Sequence, residues 1–214
     1  MAYERRRLHG RDQHDWHSRD YVAHWVARDF TRTDERRPIL DRLLAAAPFA
    51  RDDAIAVLDV GGGSGVVSGA VAQAFPNAAI TVQDFSAPML EHARERFAAR
   101  AARMRYVQCD LSDPAWDRNV EGPFDLAVSG IAIHNLREMP VISACYAAVR
   151  RLLRGRGCFL DYDHFDRAGG LEAHRDALLS VGFAQVETVW HEVPTAVLKA
   201  SVQGDDCSPH KAKA

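Results

Sequence analysis

The stretch AVLDVGGGSGVV, residues 56–67, sets a carboxylate beside a loop that is nearly all backbone: Asp59 stands two residues before Gly61-Gly62-Gly63-Ser64-Gly65. Glycine has no Cβ, so such a loop lets a ligand come close to main-chain N–H groups. A carboxylate next to it attracts a cation and repels a phosphate. A second reactive type, His134, follows the apolar run FDLAVSGIAI. A neutral imidazole there can take a proton from a hydroxyl or an amine near neutral pH. The segment DYDHFD gathers Asp161, Asp163, His164 and Asp166, and alternation puts Asp161 and Asp163 on one strand face. That pattern superficially suggests a metal cluster. The preceding apolar strand supplies no second ligand set, so the segment reads as polar lining of a pocket, with Asp163 in it, and no metal is expected.

The elements around these residues follow from hydrophobic periodicity. Trp16, Val22, Trp25, Val26 and Phe30 recur at helical spacing, and Ile39, Leu40, Leu43 and Leu44 form a second stripe after Pro38. From residue 55 the pattern alternates. AIAVLDV is strand one and VVSGAVAQAF its helix; AAITVQDF is strand two and APMLEHARERFAARAA its helix, with proline at the start. MRYVQCD is strand three and FDLAVSGIAI strand four, apolar throughout as a buried parallel strand is. MPVISACYAAVRRLLRG is a helix closed by Gly155, with Arg150, Arg151 and Arg154 at its negative end, and GCFLDYD is strand five. A helix over GGLEAHRDALLSVG then leads to AQVETVWHEV, Pro194 and TAVLKASV, which read as an antiparallel hairpin.

This alternation predicts an α/β fold: a doubly wound, mostly parallel seven-stranded sheet with a C-terminal antiparallel hairpin and an N-terminal helical lid. Three segments are expected: a helical extension over 1–50 with residues 1–15 loosely held, the ligand-binding domain over 51–201, and a disordered tail over 202–214. The composition is that of a soluble globular chain, with 47% hydrophobic residues, 26% charged and a formal net charge of −2 in 214 residues. Arginines interleave with acids, so no nucleic-acid surface is expected. No apolar run is long enough to span a membrane and the first twenty residues hold no apolar h-region, so a soluble protein is expected. Cys109, Cys145, Cys158 and Cys207 are scattered without paired spacing, which reads as reduced thiols of a cytoplasmic protein, three of them packed as small hydrophobes.

A glycine loop between strand one and its helix, at the carboxyl edge of such a sheet, points to an adenosine-containing ligand. A dinucleotide site needs GxGxxG. Gly63 and Gly65 would require glycine at position 68, which is Ser68, and Gly61 and Gly63 would require it at 66, which is Val66. Both registers fail. Asp59 would repel a pyrophosphate and attract an ammonium and a sulfonium, which favours S-adenosylmethionine.

VLDVGGGSG resembles the first motif of the class I S-adenosylmethionine-dependent methyltransferases, LDxGxGxG, and the resemblance runs over residues 16 to 201. It implies a cofactor site made by Asp59, Gly61, Gly63, Asp84, Phe85, Met89, Asp110, Leu111 and Ser129. In it Asp59 serves the methionine ammonium, directly or through water. Asp84, at the end of strand two, takes both ribose hydroxyls, as one carboxylate can. Asp110 accepts from the adenine amino group, and the Leu111 amide faces the ring. FDLAVSGIAIHNL resembles the family's fourth-strand segment, and the terminal hairpin its sixth and seventh strands. Gly62 departs from the cysteine of many relatives. Ser129-Gly130 ends strand four without the acid of metal-dependent catechol-type enzymes, and the Asn/Asp-Pro-Pro-Tyr/Phe segment of enzymes that methylate DNA bases and amide nitrogens is missing.

The acceptor pocket implied is Trp16, Tyr21, Trp25, His134 and Asp163, taking a small molecule at an O, N or C atom, with a monomer or homodimer as the assembly. For His134 two roles stand side by side, general base and pocket shaping, and the second is favoured because alignment alone accelerates methyl transfer. The three N-terminal aromatics are either core or a water-excluding lid. Asp59 is alternatively a cap, Met89 and Phe85 alternatively core. A non-methylating protein on the same fold, a cyclase or a regulatory binding subunit, is the second functional reading; a dehydrogenase is the third.

Overall fold

The computed structural model describes residues 14–30 and 33–203. Helices α1 (Arg19–Phe30) and α2 (Thr33–Ala45) precede strand β1 (Ala56–Val60). Then follow α3 (Val66–Ala74), β2 (Ala79–Asp84), α4 (Ala87–Arg96), β3 (Met104–Gln108) and β4 (Phe124–Gly130). The chain closes with α5 (Met139–Leu152), β5 (Leu153–Asp163), α6 (Leu171–Ser180), β6 (Gln185–Glu192) and β7 (Thr195–Ser201). The seven strands form one sheet in the order β3-β2-β1-β4-β5-β7-β6. β1 to β5 run parallel, and β7 lies antiparallel to both β5 and β6. The order reverses between β1 and β4, and their carboxyl ends therefore open a crevice at the switch point.

Alternation along each strand sorts side chains into two cores. Leu58, Phe159, Trp116, Tyr146 and Leu178 pack on the α5–α6 face. Val57, Val71, Leu90, Val128 and Leu160 pack on the face of α2, α3 and α4. Each fully buried large apolar side chain contributes roughly 2 kcal/mol of transfer free energy, so the two layers hold the sheet from both sides. A row of polar side chains interrupts this pattern at the carboxyl edge. Gln83, Val60, Ser129 and Asp161 are register partners across β2, β1, β4 and β5; three of the four are polar, and Gln83, Ser129 and Asp161 are fully buried.

Local structure departs from periodicity at several points. Pro38 lies inside α2, where the missing N–H costs one i→i−4 bond but the apolar stripe continues across it. The helix after strand two stops at Arg96; Phe97 leaves helical geometry and a 3₁₀ segment, Ala98–Arg103, follows. Strand four stops at Gly130, because Ile131 turns to φ 55°. Gly155 does not close α5: Leu153 is already extended, and β5 begins there. Arg154 consequently sits in a strand and pairs with Asp125. Val202 belongs to the core and donates its N–H to the Gly157 carbonyl at 3.0 Å, so ordered packing continues past residue 201. The expectations for residues 1–13 and 204–214, Cys207 among them, lie outside the described residues.

Candidate active site

The glycine loop leaves β1 and enters α3 through three left-handed residues, Gly61, Gly63 and Gly65, with φ of 65°, 54° and 81°. Two of these positions explain themselves. A Cβ at Gly65 would sit 2.5 Å from Cε2 of Phe97, so backbone and ring interlock there. A Cβ at Gly63 would meet nothing nearer than 3.9 Å, and the atoms at that distance are Asp84 Oδ2 and the Met89 sulfur. An open lane therefore runs over Gly63, edged by a carboxylate and a thioether.

Asp84 ends β2 and is 7% exposed. Its Oδ2 accepts from the Gly63 N–H at 2.9 Å and its Oδ1 from the Ser86 N–H at 2.8 Å. Burial raises its carboxyl above the ordinary range. Each oxygen keeps a lone pair for a further donor, the arrangement a cis-diol needs. Ser86 caps α4 through its hydroxyl, which accepts from the Met89 N–H at 3.2 Å, and this fixes Met89 beside the loop. Phe85, 37% exposed, meets the His17 ring edge-on at 5.5 Å. Beyond β3, Asp110 is exposed and turns its Oδ1 to the Ser112 N–H at 2.8 Å. Leu111 reaches within 3.9 Å of the Gly61 Cβ position, so the loop after β3 approaches the glycine loop.

Asp59 lies under the loop, fully buried. Its Oδ2 accepts from both the N–H and the hydroxyl of Ser68, at 2.9 and 2.6 Å, and its Oδ1 has no partner. Desolvation raises its carboxyl to about 6, against the lowering effect of the Ser68 bonds. The glycine loop thus separates this carboxylate from the open side. Ser129, on the opposite sheet face, also has a buried hydroxyl with no partner. Orphaned buried polar atoms cost about 1–3 kcal/mol each unless a ligand or water meets them.

Gln83 is a site residue that periodicity hides. Fully buried, its Oε1 accepts from the Gly61 N–H at 2.9 Å and its Nε2 donates to the Cys109 carbonyl at 2.6 Å. Its own carbonyl takes the Gly62 N–H at 2.8 Å. One side chain thereby ties the glycine loop to the loop after β3. The only signal in the sequence is a polar residue amid an apolar strand.

Trp16, Tyr21 and Trp25 form one ring cluster, with Trp16 5.4 Å from Tyr21 and 5.3 Å from Trp25. The Ser86 hydroxyl donates to the Trp16 carbonyl at 2.5 Å. The cluster is therefore tied to the β2–α4 end, while His134 and Asp163 lie at the β4–β5 end, with β1 and β4 between β2 and β5.

At that end His134 is 5% exposed and Asp163 is fully buried. Asp163 Oδ1 accepts from His134 Nδ1 at 2.5 Å and from the His164 N–H at 2.7 Å, and Oδ2 accepts from the His134 N–H at 2.9 Å. A carboxylate only accepts, so Nδ1 carries hydrogen and the lone pair of a neutral His134 is on Nε2. Chemically this is an imidazole with its tautomer fixed for proton acceptance. Among the described residues no group of His, Cys, Asp and Glu could hold a metal ion, and no helix is long and apolar enough to cross a membrane.

Comparison with known proteins agrees with this architecture. Residues 57–157 match the family described as Methyltransferase domain. A release factor glutamine methyltransferase of Chlorobaculum tepidum is 39% identical over 88 residues, 40% of this chain and 30% of that protein. A polyketide methyltransferase of Ustilaginoidea virens is 29% identical over 189 residues, 79% of this chain and 42% of that one. The chain thus spans less than half the length of these curated relatives. An O-methyltransferase family protein from Burkholderia thailandensis superposes with a TM-score of 0.71 at 16% identity, covering 90% of this chain and 62% of that one.

Proposed function

We propose that the chain is a class I S-adenosylmethionine-dependent methyltransferase, on the strength of the methyltransferase-domain match over residues 57–157, and that it methylates a hydroxyl or amine of a small-molecule acceptor, with His134 as the base. The cofactor, when bound, supplies an electrophilic methyl group on a sulfonium. Everything else falls to residues of this chain. The glycine loop offers backbone room, Asp84 takes the ribose hydroxyls, Met89 and Phe85 flank the adenine side, and Asp110 and Leu111 face the ring edge. Asp59, kept anionic by a nearby cation, favours the charged cofactor from beneath the loop.

The observation that carries the reading is the Asp163–His134 pair at the β4–β5 end, the position for an acceptor in a doubly wound sheet. Pocket shaping needs only bulk at position 134. A buried carboxylate that accepts from both the Nδ1 and the main-chain N–H of one histidine does more: it fixes orientation and tautomer and stabilises the imidazolium formed on proton uptake. The pair therefore favours the base over the role the sequence alone favoured. An interleaved charge distribution and a net charge of −2 support a small acceptor over RNA, although the relatives named above include one whose name gives a protein acceptor. Trp16, Tyr21 and Trp25, with the 1–50 extension, serve in this reading as the cover over the cofactor edge.

Methyl-labelled S-adenosylmethionine, incubated with the protein and separate small-molecule, RNA and protein fractions of a cell extract, tests the reading. Label in the small-molecule fraction supports it. Label confined to RNA or protein overturns it.

A further inference from the structure

Two carboxyl groups, Asp161 and Asp163, point from one face of β5 and are both fully buried, yet their surroundings are opposite. Asp163 meets three donors, two from His134 and one from His164. Three donors and no acceptor around it favour the anion.

Around Asp161 the donors run out. His174 Nε2 lies 2.6 Å from the Ala168 carbonyl, which only accepts, so Nε2 carries hydrogen. The neutral ring then has its lone pair on Nδ1, which takes the Tyr146 O–H at 2.7 Å. Tyr146 has one hydrogen and has now used it. Its oxygen is also 3.1 Å from Asp161 Oδ2, and two acceptors at that distance need a hydrogen between them. With His174 neutral it comes from Asp161, the reverse of the donation from Tyr146 that an Asp161 carboxylate would receive.

We propose that Asp161 is a neutral carboxylic acid in the folded protein, donating through Tyr146 and His174 to the Ala168 carbonyl, and that this neutrality leaves Asp163 as the sole anion holding His134. The positioning role rests on the base assignment for His134; the protonation state of Asp161 does not. Atoms balance without any other group: three links carry three hydrogens, and all three side chains are uncharged. The competing arrangement moves one proton from Asp161 to His174. It would put an imidazolium at the fully buried His174 and a second carboxylate beside Asp163, both in a desolvated core.

The groups acting on Asp161 are Asp163 on its own strand and Tyr146 and Cys145 on α5, with His174 of α6 beyond Tyr146; Ser129 and Leu198 are its register partners on β4 and β7. None of them is a cation in the neutral arrangement. Burial and the Asp163 charge push the Asp161 carboxyl well above the carboxylate range, and burial pushes His174 down, both in the direction that the hydrogen count requires.

Ligand-free protein suffices for the test, so its outcome is separate from that of the transfer assay. Infrared spectra at pH 7 should contain a carboxylic-acid carbonyl band that D161N lacks and D163N keeps. Nitrogen NMR of the wild type should show His174 as the neutral Nε2–H tautomer, a reading that needs no variant. D161N should gain melting temperature over wild type steadily as pH rises from 4 to 8, because only the wild type must hold a proton in the folded state. Absence of the band, an imidazolium at His174, or a Tm difference independent of pH would each overturn the proposal. Y146F, which deprives the acid of its acceptor, should shift the band without removing it; loss of the band there would also count against it.

Discussion

Ser68 donates both its main-chain N–H and its hydroxyl to one oxygen of Asp59, at 2.9 and 2.6 Å. The residue that breaks one of the two dinucleotide registers is thus the one that secures the motif aspartate. A glycine at position 68 would supply the N–H alone and leave Asp59 with one bond fewer beneath the loop. The failed register and the buried carboxylate are two views of one arrangement.

That carboxylate should make stability depend on pH. Its folded value of about 6 lies above the ordinary 3.8, so the folded state binds the extra proton and stability from this group is full below about pH 4 and lost as pH rises through 6. A displacement of that size is worth about 3 kcal/mol. Asp59→Asn should therefore gain up to that amount relative to wild type between pH 4 and pH 7, read from urea unfolding at each pH. A constant difference across that range would place the ionisation elsewhere.

Cofactor binding should depend on the same group. A cation above the loop favours the carboxylate form, so affinity for S-adenosylmethionine should rise from pH 5 to pH 7, with proton release seen by calorimetry in buffers of different ionisation heat. In Asp59→Asn both the pH dependence and the released proton should vanish.

Gly63→Val should abolish cofactor binding for two reasons. A β-branched residue is strained at φ 54°, and its methyl groups would fill the lane edged by Asp84 and Met89. Calorimetry on folded variant protein checks it; tight binding would put the ligand at another place.

Asp84→Ala should weaken S-adenosylmethionine binding by more than about 1.5 kcal/mol, since two charge-assisted hydrogen bonds go. Because Asp84 also accepts from Gly63 and Ser86, Asp84→Asn separates ribose contact from loop order. The amide keeps an acceptor, and should recover melting temperature more fully than affinity. Equal recovery of both would make the residue a loop support only.

Much of this is legible in the chain. Strand ends at Asp84 and Asp163 follow from apolar runs that stop at a polar residue, and the glycine loop fixes where the crevice opens. What periodicity cannot supply is long-range pairing. Gln83 and Tyr146 look like ordinary strand and helix positions; their roles come from partners 15 to 28 residues away, on other elements. The α5–β5 boundary differs from expectation because Gly155 carries a helix-stop signal while Leu153 makes the actual change of backbone, set by pairing with Phe124 on β4. Pro38 signals a helix start and lies inside one for a similar reason: its cost of one hydrogen bond is smaller than the burial of Leu40, Leu43 and Leu44 that the longer helix allows.

The most direct test of the base at position 134 is the single-turnover transfer rate against pH, for wild type and His134→Ala, with the acceptor that the label screen identifies. If the Asp163-held imidazole takes the acceptor proton, the variant should lose about 10²-fold or more in rate, keep the wild-type affinity for S-adenosylmethionine, and lose the acidic limb of the profile. A variant that keeps that limb and shows only a raised acceptor KM would contradict the base assignment and return His134 to shaping the pocket.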